Sequence, residues 1–133
     1  MKYKTPLRYP GGKSKAMNKM APYFPSTNSV VHYREPFLGG GSVALWMTQN
    51  YNPETIWVND LYHPLYNFWH HLQKVPTLLS DELKEAKLAN SDEDKARILF
   101  QVNKEILNDP DETPFAKAKA FWIVNKCSFS GLT

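Results

Sequence analysis

Glu35-Pro36-Phe37-Leu38-Gly39-Gly40-Gly41-Ser42-Val43 sits between two segments of opposite character, and the fold class follows from that junction. Ahead of it, Ser29-Val30-Val31-His32-Tyr33-Arg34 is rich in β-formers and reads as a strand. Behind it, residues 42–49 read as a helix that opens directly after the glycines. A second β-rich run, Thr55-Ile56-Trp57-Val58, ends at Asn59-Asp60. Strand, glycine turn, helix and strand make a βαβ unit, whose parallel strands imply an α/β sheet. Three successive glycines permit backbone angles closed to other residues and let a ligand approach the main chain. In doubly wound sheets such a turn lies at the carboxyl edge of the strands, where nucleotide-like ligands bind. Asp60 stands about where an acidic residue reaches ribose hydroxyls in such sites. An adenosine-bearing ligand is the economical reading.

The strict Gly-x-Gly-x-x-Gly fingerprint is absent, because Ala44 holds the third position after Gly39 and Gly41. Spacing alone leaves a nicotinamide or flavin cofactor open, since alanine is sometimes tolerated there. Glu35 weighs against it: a carboxylate just before the loop repels a pyrophosphate, yet can hydrogen-bond near the cationic methionine end of S-adenosylmethionine. A second glycine site, Tyr9-Pro10-Gly11-Gly12-Lys13-Ser14, contains the Gly-Lys-Ser of a Walker A loop. The first glycine of that motif is missing, Leu7 standing in its place, and no buried strand precedes the loop. What remains is a tight turn offering a lysine to a carboxylate and an aromatic ring to a flat or aliphatic group.

The rest of the chain reads as helical. Residues 14–23 suit a short helix. Tyr62, Leu65, Tyr66, Trp69 and Leu72 recur at three- and four-residue intervals behind Pro64, an aromatic stripe of the kind that forms core. Ser80 can start a short helix over 81–89. Ser91 with Asp92-Glu93-Asp94 reads as a capped start for a helix burying Ile98, Leu99, Val102 and Ile106. Thr113-Pro114 opens a last helix carrying Phe115, Ala118 and Trp122 on one side.

The chain has 133 residues, 42% hydrophobic and 22% charged, which supports one modest core. No apolar run approaches a membrane span and the N-terminus lacks a signal core, so a cytoplasmic protein is expected. Cys127 is the single cysteine, which excludes an internal disulfide and a cysteine-rich zinc site; it is expected to be a small buried side chain. His32, His63, His70 and His71 lack metal-ligand spacing, and no metal is expected. Lys2, Lys4, Arg8, Lys13, Lys15, Lys19 and Arg34 precede any acidic residue. That asymmetry suits a polyanion such as nucleic acid, or simply a solvated basic surface.

Taken together, Tyr9-Pro10-Gly11-Gly12-Lys13, Glu35 through Val43 and Asn59-Asp60 resemble, in order, the cofactor motifs of the Dam-type DNA adenine-N6 methyltransferases. Residues 120–132 are similar to that family's aromatic-rich segment ending in Asn-Gly-Leu, with Ser130 where the family often has Asn. The resemblance implies a Rossmann-like, S-adenosylmethionine-dependent α/β fold, here incomplete and followed by a helical segment. It implies S-adenosylmethionine contacts from Tyr9 and Lys13, a pocket shaped by Pro36, Phe37, Gly39 and Gly41, and a ribose contact from Asp60. It also implies double-stranded DNA as partner, Phe129 and Ser130 as candidate DNA contacts, and DNA methylation of the restriction-modification kind.

Relatives hold the target amino group with Asp-Pro-Pro-Tyr, and no such string occurs here; Asp109-Pro110-Asp111 is the nearest. No catalytic residue is therefore assigned. The expectation is one cofactor-domain portion over residues 1–133, with a βαβ unit over 1–75 and a helical segment over 76–133 leading toward a recognition domain. Such a chain would be truncated, split or inactive alone. The alternative is a non-catalytic S-adenosylmethionine- or nucleic-acid-binding regulatory module; a nicotinamide-dependent enzyme is a third option.

Overall fold

A computed structural model describes residues 3–90 and 92–128. The chain divides into two compact units, Met1–Leu61 and Tyr62–Thr133. Its architecture is mixed α/β with a small parallel sheet.

In the first unit, β1 (His32–Glu35) pairs in parallel with β2 (Thr55–Val58) in the register His32 to Thr55 through Glu35 to Val58. The pairing continues past both strands: Asn59 N–H donates to Glu35 C=O at 2.9 Å, and Leu38 N–H to Asn59 C=O at 2.8 Å. The glycine turn is thus stitched to the end of β2 before it delivers the chain into helix α2 (Ser42–Asn50). Side chains alternate across a strand. His32, Arg34, Thr55 and Trp57 therefore share one face, and Tyr33, Glu35, Ile56 and Val58 the other. All four β2 residues are exposed, although parallel sheets ordinarily bury both faces.

β1 begins at His32 rather than Ser29, because Ser29 closes a 3₁₀ turn (Thr27–Ser29) with its N–H and hydroxyl both donating to Ser26 C=O. The single helix expected over 14–23 is three short pieces, Lys13–Lys15, α1 (Met17–Met20) and Ala21–Tyr23. Pro22 lacks the N–H that would bond Asn18, so the α-helix stops. Leu7, Met17, Leu38, Ala44 and Met47 form this unit's core. Beside it Trp46 lies between Phe24 and Tyr51, whose hydroxyl donates to Pro25 C=O at 2.6 Å.

The second unit is helical: α3 (His63–Lys74), α4 (Pro76–Ala89), α5 (Glu93–Asn108) and α6 (Pro114–Cys127). α6 is its centre, burying Ala118, Ala120, Phe121, Ile123, Val124 and Asn125, as a helix apolar around most of its girth must. α3 presents Leu65 and Phe68 to it, with Phe68 and Phe121 rings 5.9 Å apart. Tyr66, expected in the core stripe, is exposed; Phe68 takes the inward position. The buried Asn67 amide donates to Pro114 C=O at 2.7 Å. α4 starts at Pro76 rather than residue 81, proline being suited to a helix's first position.

Asp92 caps α5, accepting Lys95 N–H at 2.9 Å, while Ser91 lies outside the described residues. The inward stripe of α5 is Ala96, Leu99, Phe100, Asn103, Ile106 and Leu107. Ile98 and Val102, expected inside, are exposed. Asn103 is buried with its amide donating to Leu99 C=O at 2.7 Å, which is why a polar residue fits the stripe. Cys127 is exposed rather than buried, because it ends α6 beyond the packed stretch.

Candidate functional site

The amino-terminal turn is built from its own sequence. Gly12 N–H donates to Tyr9 C=O at 3.0 Å, with Pro10 second and Gly11 (φ 72°) third. Proline followed by a residue at positive φ is what a type II turn requires. Lys13 folds back, its Nζ donating to Gly11 C=O at 2.7 Å. A 3₁₀ turn, not a long helix, follows this lysine, so the Gly-Lys-Ser string lacks the helical context of a Walker A loop.

That turn packs directly on the second glycine run. A Cβ on Gly39 would stand 2.9 Å from Tyr9 Cε1, and one on Gly40 2.8 Å from Tyr9 Cβ, so both positions are closed to larger residues. Gly39 (φ 52°) and Gly41 (φ 68°) adopt the left-handed backbone that turns β1 into α2. Ser14 and Ser42 hydroxyls meet at 2.8 Å, joining the two motifs a second time. Asp60 Oδ2 accepts Gly39 N–H at 2.8 Å, so the carboxylate ending β2 holds the turn that follows β1.

Gly41, the residue before α2, has no side chain to cap it. Glu35 supplies the cap from the strand: its carboxylate accepts the backbone N–H of Ala44 and, at 2.6 Å, the Tyr33 hydroxyl. The negative charge thereby sits at the positive end of the helix dipole. Burial nonetheless dominates and pushes the Glu35 carboxyl above its ordinary pKa, the two hydrogen bonds opposing it. Burial and then the Glu35 partner push the Tyr33 hydroxyl far above its ordinary value.

A cavity of about 210 Å³ opens here, lined among others by Tyr9, Lys13, Glu35, Phe37, Gly39 and Gly41. Pro36 is exposed outside that lining. Asp60 also lies outside it and joins through Gly39. Phe37 is 81% exposed at the rim. Phe129 and Ser130 lie outside the described residues. Two features went unread in the sequence. Leu61, directly after Asp60, is 90% exposed; a large apolar residue following a strand-ending acid was its only signal. The Ser14–Ser42 contact had none, since the residues are 28 apart.

Chemically, one small cavity carries an ammonium and a carboxylate, the complement of a zwitterion, beside exposed aromatic and aliphatic surface. Among the described residues there is no group of three or more potential metal ligands, and no helix is long and apolar enough to cross a membrane.

Glycine turn, strand-ending acid and lysine turn come together in a mixed α/β unit, and residues 9–133 match the D12 class N6 adenine-specific DNA methyltransferases; the chain belongs to that family. It is also similar to the Type II methyltransferase M.MjaIII of Methanocaldococcus jannaschii, at 24% identity over 141 residues. That match covers 99% of this chain and 48% of the relative, so the chain spans about half the relative's length.

Proposed function

We propose that this chain supplies the methyl-donor half of a DNA adenine-N6 methyltransferase and that its ligand is S-adenosylmethionine. The observation that carries the reading is the convergence of Tyr9, Lys13, Glu35, Gly39 and Gly41 on one cavity, with Asp60 bonded to Gly39. Those residues fit the group. Lys13 faces the carboxylate of a methionine moiety and Glu35 its ammonium. The glycine backbone gives room for close approach, and Tyr9 packs along the methionine arm. Asp60 accepts from the ribose hydroxyls, while Phe37 and Leu61 offer apolar surface to the adenine. Pro36 holds Phe37 at the rim.

When bound, the donor supplies an electrophilic methyl on a sulfonium; this chain's residues bind it, orient it and exclude water from its polar end. The acceptor is an adenine amino group in DNA, presented by flipping the base out of the duplex. No residue among 1–133 forms the Asp-Pro-Pro-Tyr that would hold that amino group, so the chemical step draws on groups from further polypeptide. The exposed Ile56, Trp57 and Val58 are the faces on which the remaining layers of a Rossmann-like sheet pack. Phe129 and Ser130 are candidate contacts to DNA.

Titration calorimetry with S-adenosylhomocysteine tests the reading. One-to-one binding is expected, abolished by Asp60→Ala. No heat with either S-adenosylhomocysteine or S-adenosylmethionine on folded protein would overturn it, and DNA binding without any cofactor response would favour the non-catalytic module.

A further inference from the structure

Gln49 is the penultimate residue of α2, at the opposite end of that helix from the pocket. Asn50, Asn90 and Asn108, each at or just past a helix end, donate to the carbonyl four residues back. Gln49 Nε2 makes that same bond, to Leu45 C=O at 2.6 Å, and also donates to Tyr3 C=O at 3.1 Å. Its Oε1 accepts Tyr3 N–H at 2.8 Å. One amide thus engages both main-chain groups of Tyr3, as a neighbouring strand would.

Residues 3–9 have no helix or strand of their own. They are fastened at Tyr3 by Gln49, in the middle by the buried Leu7, and at Tyr9 by its packing on Gly39 and Gly40. α2 is nine residues long, about 13.5 Å at a helix's rise. Six extended steps from Tyr3 to Tyr9 reach about 20 Å. The segment therefore runs alongside α2, from Gln49 near its last residue to the glycine turn ahead of its first, with Leu7 buried between. Where Tyr3 is fastened limits where Tyr9 and Lys13 can stand.

We propose that Gln49 is a positioning residue for the ligand pocket: its amide anchors a strap, residues 3–9, that carries Tyr9 and Lys13 onto the glycine turn. The ligand part rests on the function proposed above; the anchoring part does not. Gln49→Met keeps volume and helix propensity while removing both bonds to Tyr3, and Gln49→Glu keeps only the acceptor for Tyr3 N–H. Tyr3→Pro removes the same N–H without touching α2.

On the full chain, hydrogen exchange of residues 3–9 and the dissociation constant for S-adenosylhomocysteine are measured beside the melting temperature. Gln49→Met is expected to speed exchange across the strap and weaken binding roughly tenfold, with the melting temperature nearly unchanged. Gln49→Glu and Tyr3→Pro are expected to give smaller changes in the same direction. Unchanged affinity or unchanged exchange in Gln49→Met overturns the proposal. If the wild type binds nothing yet exchange accelerates, the ligand assignment fails and the anchor stands; should Gln49→Met not fold, Tyr3→Pro decides by the same two readouts.

Discussion

Alanine at Gly39 and alanine at Gly40 should both destabilise the protein, but Tyr9→Ala should rescue only the first. At Gly39 the new methyl meets the ring of Tyr9: 2.9 Å from Cε1 and 3.3 Å from Cδ1 and Cζ. Overpacking of that kind costs about 1–3 kcal/mol, and a non-glycine residue at φ 52° adds roughly 1–2 kcal/mol. Truncating Tyr9 deletes all three ring atoms, so the double variant should recover the overpacking part and keep the backbone part. At Gly40 the collision is with Tyr9 Cβ at 2.8 Å. Alanine retains that atom, and no side-chain rotation moves it far, so the strap and the glycine turn must part. Urea denaturation of the wild type, three single and two double variants closes both cycles. Coupling of about 1 kcal/mol or more is expected between Gly39→Ala and Tyr9→Ala, and near-additivity between Gly40→Ala and Tyr9→Ala. Additive behaviour in the first cycle, or rescue in the second, would refute the packing of the two motifs described above.

Three further outcomes follow from individual contacts. Because burial raises the Glu35 pKa, the folded protein holds the Glu35 proton more firmly than the unfolded chain does. Stability should decline as pH rises from the ordinary carboxylate range through the raised value; Glu35→Gln should lose that decline, and a pH-independent gap between the two melting curves would sink the idea. Asn67→Ala removes a buried amide that donates to Pro114 C=O and should cost about 1 kcal/mol, read by chemical denaturation. Thr113→Ala removes the hydroxyl that accepts Ala116 N–H at 3.2 Å and should cost about 1 kcal/mol; a neutral result would mean the cap is not formed in solution.

Much of the site was legible because its residues carry local, special requirements. Gly39 and Gly41 do adopt positive φ, and Gly11 and Pro10 form the turn that their order implies. The βαβ order and β2 over 55–58 also followed from local pattern. Helix faces were less legible. On α5 the apolar residues Ile98 and Val102 face solvent while Asn103 faces inward, because a buried amide that finds Leu99 C=O is tolerated and apolar side chains outside the core are common. α4 starts at Pro76, several residues before the start that Ser80 suggests. Proline's fixed φ and missing N–H suit the first helical position, while serine is equally at home on a polar helix face.

From the sequence alone came the motif order that places the chain among N6 adenine-specific DNA methyltransferases, and the residue types of the pocket. Glycines, a strand-ending acid and a lysine turn are chemically distinctive wherever they lie. Only the tertiary structure decided which of them touch: Tyr9 against Gly39, Asp60 on Gly39 N–H, Ser14 on Ser42, Glu35 on the amino end of α2 and Gln49 on Tyr3. Those pairs are separated by up to 46 residues. Hydrogen-bond geometry between such distant positions depends on the path of the whole chain around α2, which no local periodicity records.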